Sequence, residues 1–471
     1  MPELLLAIDA GTTSVRGMLV DARGRVLGTN RQSITSHYPA PGRVEQDADA
    51  VWRSSRAAID GALADAGRTL ADVLALGITT QRSSVVVWDA ATGQAAAPMI
   101  IWSDLRGMDR YRALRAAGFG SLPQVPSAKL EAALAVATGR DLRWGTLDSW
   151  LLWKLSSGSV HATDVSCAWV SGYIDRDDPA RWNAKLIEYQ GLSERLFPRI
   201  VDTWGPVATA RDLGEIPITA VIADQQASMV AHHALARGDW KMTYGTSGVL
   251  MVSTGEQRES PHRTMPVAAL TRLEGRTRFC IEGMIITTGN LIEWLCGLGL
   301  FDSAANFEAA AASVEDTRGV VVRPSLQGLG SPHGRFDARA LIDGLTLGAS
   351  RAHIARAALT GLACRVREIV DVIASSSLHP PAVLPVDGGL AASDTLLQLQ
   401  ADISGRPVRR LAVTEGSAWG AAMAAGIGAG LYDEADLAAR TRYDREFLPS
   451  MSADEAQSLF TDWQALAIRP L

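Results

Sequence analysis

The chain has 471 residues, 47% hydrophobic and 20% charged, more than one core absorbs, since single cores stop growing near ~250–300 residues. Its net charge is −6, with 45 basic and 51 acidic residues interspersed rather than blocked, which argues against a nucleic-acid partner. Gly416 to Tyr432, the longest small, apolar and uncharged run, falls short of the ~20 residues of a membrane span and is broken by glycine. The N-terminus enters LLLAIDAG without a basic region, so no secretory signal is read and the cytosol is expected. Cys167, Cys280, Cys296 and Cys364 are scattered, with no C-x-x-C pair, and are expected to be buried small hydrophobes rather than disulfides or zinc ligands.

In chain order, LLLAI, VRGMLV and RVLG around the turn Asp21–Gly24 predict strands in a hairpin arrangement. Val51 to Ala64 carries helical spacing, LALGIT reads as a short buried strand, and VVVW leads into a turn at Asp89 to Gln94. Leu147 to Leu155, Ala227 to Ala236, Thr288 to Leu295 and His353 to Ser375 are predicted helices with strands between them. This alternation predicts an α/β class. The polar stretch Thr254 to Thr264 is the expected linker, dividing the chain into domains 1–253 and 254–471.

An acidic or small-residue glycine turn after an apolar strand recurs. Asp9-Ala10-Gly11-Thr12-Thr13-Ser14, with Arg16 nearby, combines a carboxylate, backbone that can be approached closely, hydroxyls and a cation. Those groups suit a triphosphate with its Mg²⁺, and equally an ordinary capped hairpin turn. Tyr244-Gly245-Thr246-Ser247-Gly248, Gly328 to Pro332 and Asp387-Gly388-Gly389 add three more turns, each of which alone reads as a loop or helix-end glycine. No G-x-x-x-x-G-K-[ST] and no complete dinucleotide fingerprint is present, which disfavours P-loop and Rossmann enzymes. The pair His232-His233 lacks any metal-ligand spacing.

Taken in order, these segments resemble the FGGY carbohydrate kinases, within them the glycerol kinase branch, over essentially the whole chain. The resemblance rests on DAGTTSVRGMLVD, PGRVEQD with Val51-Trp52, GITTQRSSVVVWD, Ile101 to Arg106, Gly145 to Leu151 and Ala223-Asp224-Gln225-Gln226-Ala227. It continues through Tyr244 to Gly248, GLGSPHGRFDARALIDGLTLG, VDGGLAASDTLLQLQADISGRPV and Glu415 to Ala422. It implies two actin-like (ribonuclease H-like) ATPase domains facing a central cleft. It further implies transfer of the γ-phosphoryl of Mg-ATP to a primary hydroxyl of a small polyol or sugar, with homo-oligomers allowed for.

By the same resemblance Asp224 would be the catalytic base, with Asp9 and Asp224 facing Mg²⁺. Thr12, Thr13, Ser14 and Arg16 would meet phosphates. Arg82, Ser83, Trp102, Gln124, Asp224 and Gln225 would line the acceptor site, and Gly245, Thr246, Gly388, Gly389 and Ser393 would touch nucleotide. The chemistry is compatible. Asp224 lies between an apolar strand and a helix, where it also suits an N-cap. Arg82 follows a buried strand, where its planar fork suits two vicinal hydroxyls or a structural ion pair. Trp102 suits carbon-bound hydrogens of an acceptor or plain core.

The sequence departs from the branch's pattern at the acceptor. Ser83 stands where a glutamate is usual, Gln124 where a tyrosine is, and Val249 where a phenylalanine is. Smaller groups leave spare volume, so a tetritol, a pentitol or a sugar stands beside glycerol as acceptor. Ser393-Asp394 replaces a usual pair of asparagines, and Asp394 would oppose a nucleotide unless it faces away. A catalytically silent nucleotide- or sugar-binding protein and an acceptor-independent ATPase are the readings from other classes.

Overall fold

The computed structural model describes residues 3–468. The chain groups into two compact units. Unit 1 gathers the chain through His233 with Ala268–Arg278 and Ser417–Thr441, and unit 2 gathers Ala234–Val267, Phe279–Gly416 and the chain from Arg442. This corrects the expected break after residue 253. The polar stretch 254–264 is a loop inside unit 2 following an apolar strand, and two later segments return to unit 1. A polar, glycine-containing composition marks a surface loop, whereas domain membership is decided by packing.

The strands of unit 1 are β1 (Leu4–Ala10), β2 (Ser14–Val20), β3 (Val26–Ser33), β4 (Val73–Thr80), β5 (Trp204–Ala210) and β6 (Ile216–Ala223). They lie in the order β5-β6-β4-β1-β2-β3. β1, β4 and β6 run parallel, and the remaining neighbours are antiparallel. In β1 all but the first residue are buried, as a strand covered on both faces requires. On β3 exposed and covered residues alternate at the sheet's edge.

Helix α1 (Ala48–Asp65) starts where the Asp47 carboxylate accepts from the N–H groups of Asp49 and Ala50. It buries Val51, Ala58, Ile59, Ala62 and Leu63, and packs on β2 and β3. On the strand side, Gly77 of β4 meets the helix Gly416–Gly428, where a Cβ at Gly77 would lie 2.2 Å from the Ala421 carbonyl oxygen. That contact, made within unit 1, lets a helix remote in sequence sit directly on the parallel strands.

A smaller sheet joins Gln94–Ala95, Val86–Asp89 and Leu142–Gly145. It is backed by Val85, Val87, Ile100, Leu130, Trp144 and Tyr173, a core of its own that carries the helix Pro126–Leu134.

Unit 2 repeats the pattern with β7 (Trp240–Tyr244), β8 (Gly248–Gly255), β9 (Arg276–Ile285), β10 (Leu384–Asp387), β11 (Val408–Leu411) and β12 (Tyr443–Phe447). The order is β9-β8-β7-β10-β11-β12. Again an antiparallel hairpin, β7-β8, continues into parallel strands, β10 and β11.

Helix α2 (Asp224–Ala231) follows β6 in unit 1, and α3 (Arg351–Ala374) and α4 (Asp394–Ser404) pack together in unit 2. α3 buries Ala355, Leu359, Leu362, Val366, Ile369 and Ile373, the 3.6-residue stripe that its sequence predicts. α2 begins three residues earlier than periodicity predicts and stops at Ala231, because His233 adopts a left-handed φ of 54°. Cys167, Cys280 and Cys364 are buried as expected, while Cys296 is half-buried, and none of the four is in a disulfide. Among the described residues no helix is long and apolar enough to cross a membrane.

Two carboxyl groups are buried together in unit 1. Asp148, on the helix Leu147–Leu155, accepts from the hydroxyls of Thr146 and Thr163. Asp164 accepts from the N–H groups of Ser166 (3.0 Å) and Cys167 (2.9 Å) and from the Ser166 and Thr203 hydroxyls (2.8 and 3.3 Å). Burial, followed by the neighbouring Asp148 carboxyl, pushes Asp164 up to about 7, and burial also raises Asp148.

Two predictions follow from this packing. Gly77→Ala should destabilise the protein by about 1–3 kcal/mol through overpacking, read as a lower Tm by differential scanning calorimetry; an unchanged Tm would contradict the close helix-on-strand contact. Because Asp164 binds a proton more tightly folded than unfolded, its contribution is fully present below the ordinary carboxyl range and is lost as pH rises through about 7. The Tm difference between Asp164→Asn and the parent should therefore move in the variant's favour from pH 4 to pH 8.

Candidate active site

Three chain segments in unit 1 leave one edge of the sheet together. Ala10, Thr80 and Ala223 are register partners across β1, β4 and β6, so Gly11, Gln81 and Asp224 all emerge at the carboxyl edge of parallel strands, where α/β sheets place their ligands. With strands ~4.8 Å apart, β1 and β6 lie ~10 Å from each other across β4.

Asp224 is the first residue of α2 and is half-buried. One carboxylate oxygen accepts from the Gln225 N–H at 2.7 Å, and the Arg82 Nε lies 3.7 Å away. Asp9 is buried near the end of β1, directly across from Arg16 on β2, whose Nη1 stands 3.9 Å from its carboxylate. The edge thus carries two carboxylates, each facing a guanidinium.

The turn between β1 and β2 is closed by the Gly11 N–H donating to the Ser14 carbonyl at 3.0 Å. Thr12 is its anchor. The Thr12 hydroxyl donates to Gln81 Oε1 (3.3 Å) and accepts from the Trp102 indole N–H (2.9 Å). Gln46 donates to the Thr12 carbonyl (2.7 Å), and Gln81 Nε2 donates to Gln46 Oε1 (3.2 Å). These bonds tie the turn at Gly11 to the turn carrying Arg82. Thr13 is exposed. Ser14, grouped with it by sequence, is instead buried at the start of β2, because the alternation of a strand turns it into the sheet.

Trp102 keeps 37% of its surface exposed, so the ring face is open while its N–H is held. Ser83 has a left-handed φ of 60°, and its hydroxyl donates to the Val170 carbonyl at 3.2 Å, which leaves it only as an acceptor toward any ligand. Behind both lies Lys129, fully buried, its ammonium donating to the carbonyls of Ile101 (2.8 Å) and Ser83 (3.2 Å). Burial pushes Lys129 down to about 7. Below Trp102, burial works against ionisation of Asp104, yet the Arg106 guanidinium and the N–H groups of Val44 and Arg106 hold its carboxyl below the ordinary range. Gln124 is half-buried ahead of the helix Pro126–Leu134 and takes part in none of these hydrogen bonds.

Asp224 is also held from behind. Ala223, immediately before Asp224, donates its N–H to the Ser166 hydroxyl at 2.9 Å, and that hydroxyl donates to Asp164 at 2.8 Å. Ser166, Gln81 and Lys129 carry no sequence signal that singles out a function. A lysine inside the apolar run of SAKLEAAL is the one clue, since a buried ammonium needs fixed acceptors.

In unit 2 the turn after β7 repeats the first one. The Gly245 N–H donates to the Ser247 carbonyl at 3.1 Å, and Thr246 is exposed. Gly388, with φ 92°, passes so close to β7 that a Cβ would lie 2.5 Å from the Tyr244 carbonyl oxygen, and a Cβ at Gly389 would meet nothing within 4 Å. Ser393 is spent structurally. It is buried, caps α4 by accepting from the Leu396 N–H at 3.0 Å, and donates to Glu308. Asp394 is neutralised by Arg410 at 2.8 Å and by Arg445.

As a cation site, the edge of unit 1 offers oxygen donors only, from Asp9 and Asp224. One or two carboxylates completed by phosphate oxygens is the donor set that a hard divalent ion such as Mg²⁺ takes, so the residues fit that ion.

Known proteins share this chain's sequence and fold. Residues 4–231 match the N-terminal domain model of the FGGY family of carbohydrate kinases, and residues 240–429 match its C-terminal domain model. The chain is 38% identical over 492 residues to a glycerol kinase of Dechloromonas aromatica, covering 100% of this chain and 98% of that protein. It is 37% identical over 486 residues to a glycerol kinase of Thermus brockianus, covering 98% and 97%. Among solved structures it is similar to a xylulose kinase from Rhodospirillum rubrum, with TM-score 0.81 and 25% identity over 99% of this chain and 98% of that one. A Plasmodium falciparum glycerol kinase with ADP matches in fold, with TM-score 0.86 and 24% identity over 99% and 98%. Both units therefore have the actin-like ATPase fold, and the chain belongs to the FGGY family of carbohydrate kinases.

Proposed function

We propose that the protein is an ATP-dependent kinase that phosphorylates a primary hydroxyl of glycerol or a closely similar small polyol. The observation that carries this reading is the Asp224–Arg82 pair beside the Gly11–Ser14 turn at one sheet edge: a hydroxyl-recognising cation, a base and a phosphate turn. Relatives bearing the name glycerol kinase along their full lengths support the same substrate class.

Phosphoryl transfer passes through a loose transition state, so the protein's work is to position reactants and compensate charge. Asp224 orients the acceptor hydroxyl and takes its proton as that oxygen bonds to the γ-phosphorus and the bond from phosphorus to the departing ADP oxygen breaks. Arg82 offers two parallel N–H donors to vicinal hydroxyl oxygens. The open face of Trp102 covers carbon-bound hydrogens, and Gln225 sits beside the base. Thr12, Thr13 and Arg16 of unit 1 meet phosphate oxygens, while Gly245, Thr246, Gly388 and Gly389 of unit 2 form the nucleotide turns. Asp9 and Asp224 would hold Mg²⁺, which supplies charge neutralisation on the phosphates. Ser14 and Ser393, both buried, are left out of the side-chain contacts. We place the enzyme in the cytosol, where a reducing medium keeps its four cysteines as thiols.

The acceptor wall is where this chain differs. Ser83 cannot donate beyond Val170, and Gln124 is not locked in place, so discrimination against acceptors longer than glycerol is expected to be weak.

ADP release with Mg-ATP should rise over an acceptor-free control with glycerol, and to a lesser degree with tetritols or pentitols. Equal release without acceptor would instead identify an ATPase, and binding without turnover a sensor. Asp224→Asn should lower kcat by about 10²–10⁴-fold with the fold intact by circular dichroism, and retained turnover would remove Asp224 as base. Arg82→Lys should raise the acceptor KM about 10-fold or more, as loss of a charged hydrogen bond does, while leaving the KM for ATP within twofold.

A further inference from the structure

Behind the sheet edge, a buried polar chain connects the carboxyl pair to the turn that carries the base. All of its members lie in unit 1. Asp148 accepts from Thr163 at 2.7 Å and from the Asp164 N–H at 3.4 Å, and Asp164 accepts from Ser166 at 2.8 Å. The Ser166 hydroxyl in turn accepts from the Ala223 N–H at 2.9 Å. Asp148, Asp164 and Ser166 are each 0% exposed, so no solvent competes with these bonds.

Ala223 ends β6, and its N–H is aimed at Ser166 just where the chain turns from strand into α2. The serine has one proton and gives it to Asp164, so its lone pair is directed at that N–H. The direction of the whole relay is fixed by Asp164, whose two oxygens accept from two backbone N–H groups and two hydroxyls. Asp164 is also the cap of the helix Val165–Trp169, and Thr203, its second hydroxyl donor, accepts from the Arg272 N–H at 3.0 Å. The segment 164–166 is thereby held by three separate parts of the unit. A rigid segment pressed against the residue before the base sets the φ and ψ at which the Asp224 carboxylate leaves the strand.

We propose that Ser166 and Asp164 are positioning residues for the reaction, acting through the Ala223 amide to fix the Asp224 carboxylate. The inference rests on Asp224 being the base. Neither residue touches substrate. Their loss should therefore leave ground-state affinity in place and lower turnover, because an acceptor hydroxyl misaligned by a fraction of an ångström still binds but reacts slowly. Asp148 serves as the neighbour that, with Thr163, keeps the pair oriented. The groups facing Asp164 are the Asp148 carboxyl, the Thr203 and Ser166 hydroxyls and the Cys167 thiol; burial and the two carboxylates hold that thiol well above the usual range.

The test is steady-state kinetics of Ser166→Ala and Asp164→Asn in the full-length protein with Mg-ATP and glycerol, beside Asp224→Asn. We expect kcat to fall on the order of 10- to 100-fold in both variants, with KM for ATP and for glycerol within threefold of the parent. Ser166→Thr, which keeps the hydroxyl, should recover at least part of the lost kcat. Folded variants with kcat within twofold of the parent would overturn the proposal, as would a loss carried entirely by KM. If Asp224→Asn retained turnover, the base assignment would fail, whereas a dead Asp224→Asn with an unaffected Ser166→Ala would sink this inference alone. Should neither variant fold, hydrogen exchange of the unaltered protein decides: a slowly exchanging Ala223 amide supports the contact, and exchange at the rate of an exposed loop overturns it.

Discussion

The register of three parallel strands in unit 1 is the constraint on which the site depends. Ala10, Thr80 and Ala223 stand opposite one another, and because both faces of β1, β4 and β6 are covered, a slip of one residue would exchange side chains between two differently packed layers, such as Gly77 beneath the helix Gly416–Gly428. Hydrophobic burial thereby fixes where three polar turns emerge. The carboxylate of Asp224, the guanidinium of Arg82 and the Gly11 turn are neighbours because apolar side chains far from them have no alternative register.

Around that edge the polar contacts form two layers. The outer layer links Trp102, Thr12, Gln81 and Gln46 in sequence, so the Gly11–Ser14 turn and Trp102 are joined by hydrogen bonds rather than merely adjacent. The inner layer is fully buried: Lys129 under Ser83 and Ile101, and Asp164 with Ser166 under Ala223. A buried ammonium or carboxyl is tolerated only where fixed partners replace water. Such groups cost stability when left unpaired, and when fully paired they rigidify the backbone around them.

Unit 2 uses the same arrangement with the chemistry redistributed. Its first turn repeats the glycine closure of unit 1, but the acidic residue sits on the neighbouring parallel strand: Asp387 of β10 is the register partner of Thr243 on β7 and accepts its hydroxyl hydrogen bond. In unit 1 the carboxylate is on β1 and the threonine, Thr79, on β4. The same pair of residue types thus appears in both units with the strands exchanged.

The sequence by itself determined the family, the α/β class, the major helices and the turns that carry the chemistry, because those follow from local period, glycine spacing and ordered motifs. It read Asp9 near a strand end, Thr12 in a turn, Arg82 after a buried strand and Asp224 between a strand and a helix, which is where they lie. Several features were decided only by tertiary structure. Helix Gly416–Gly428 packs on Gly77 in unit 1, more than three hundred residues away in the chain, so no linker composition could locate the division of the units. Ser14 and Ser393 are hydroxyls near glycine turns like Thr13 and Thr246, yet both are buried and Ser393 is bonded to Glu308, since burial depends on which face of a strand or which end of a helix a residue occupies. Lys129, Asp148, Asp164 and Ser166 acquire their roles solely from partners distant in sequence, and hydrogen bonds between remote segments leave no local period to read.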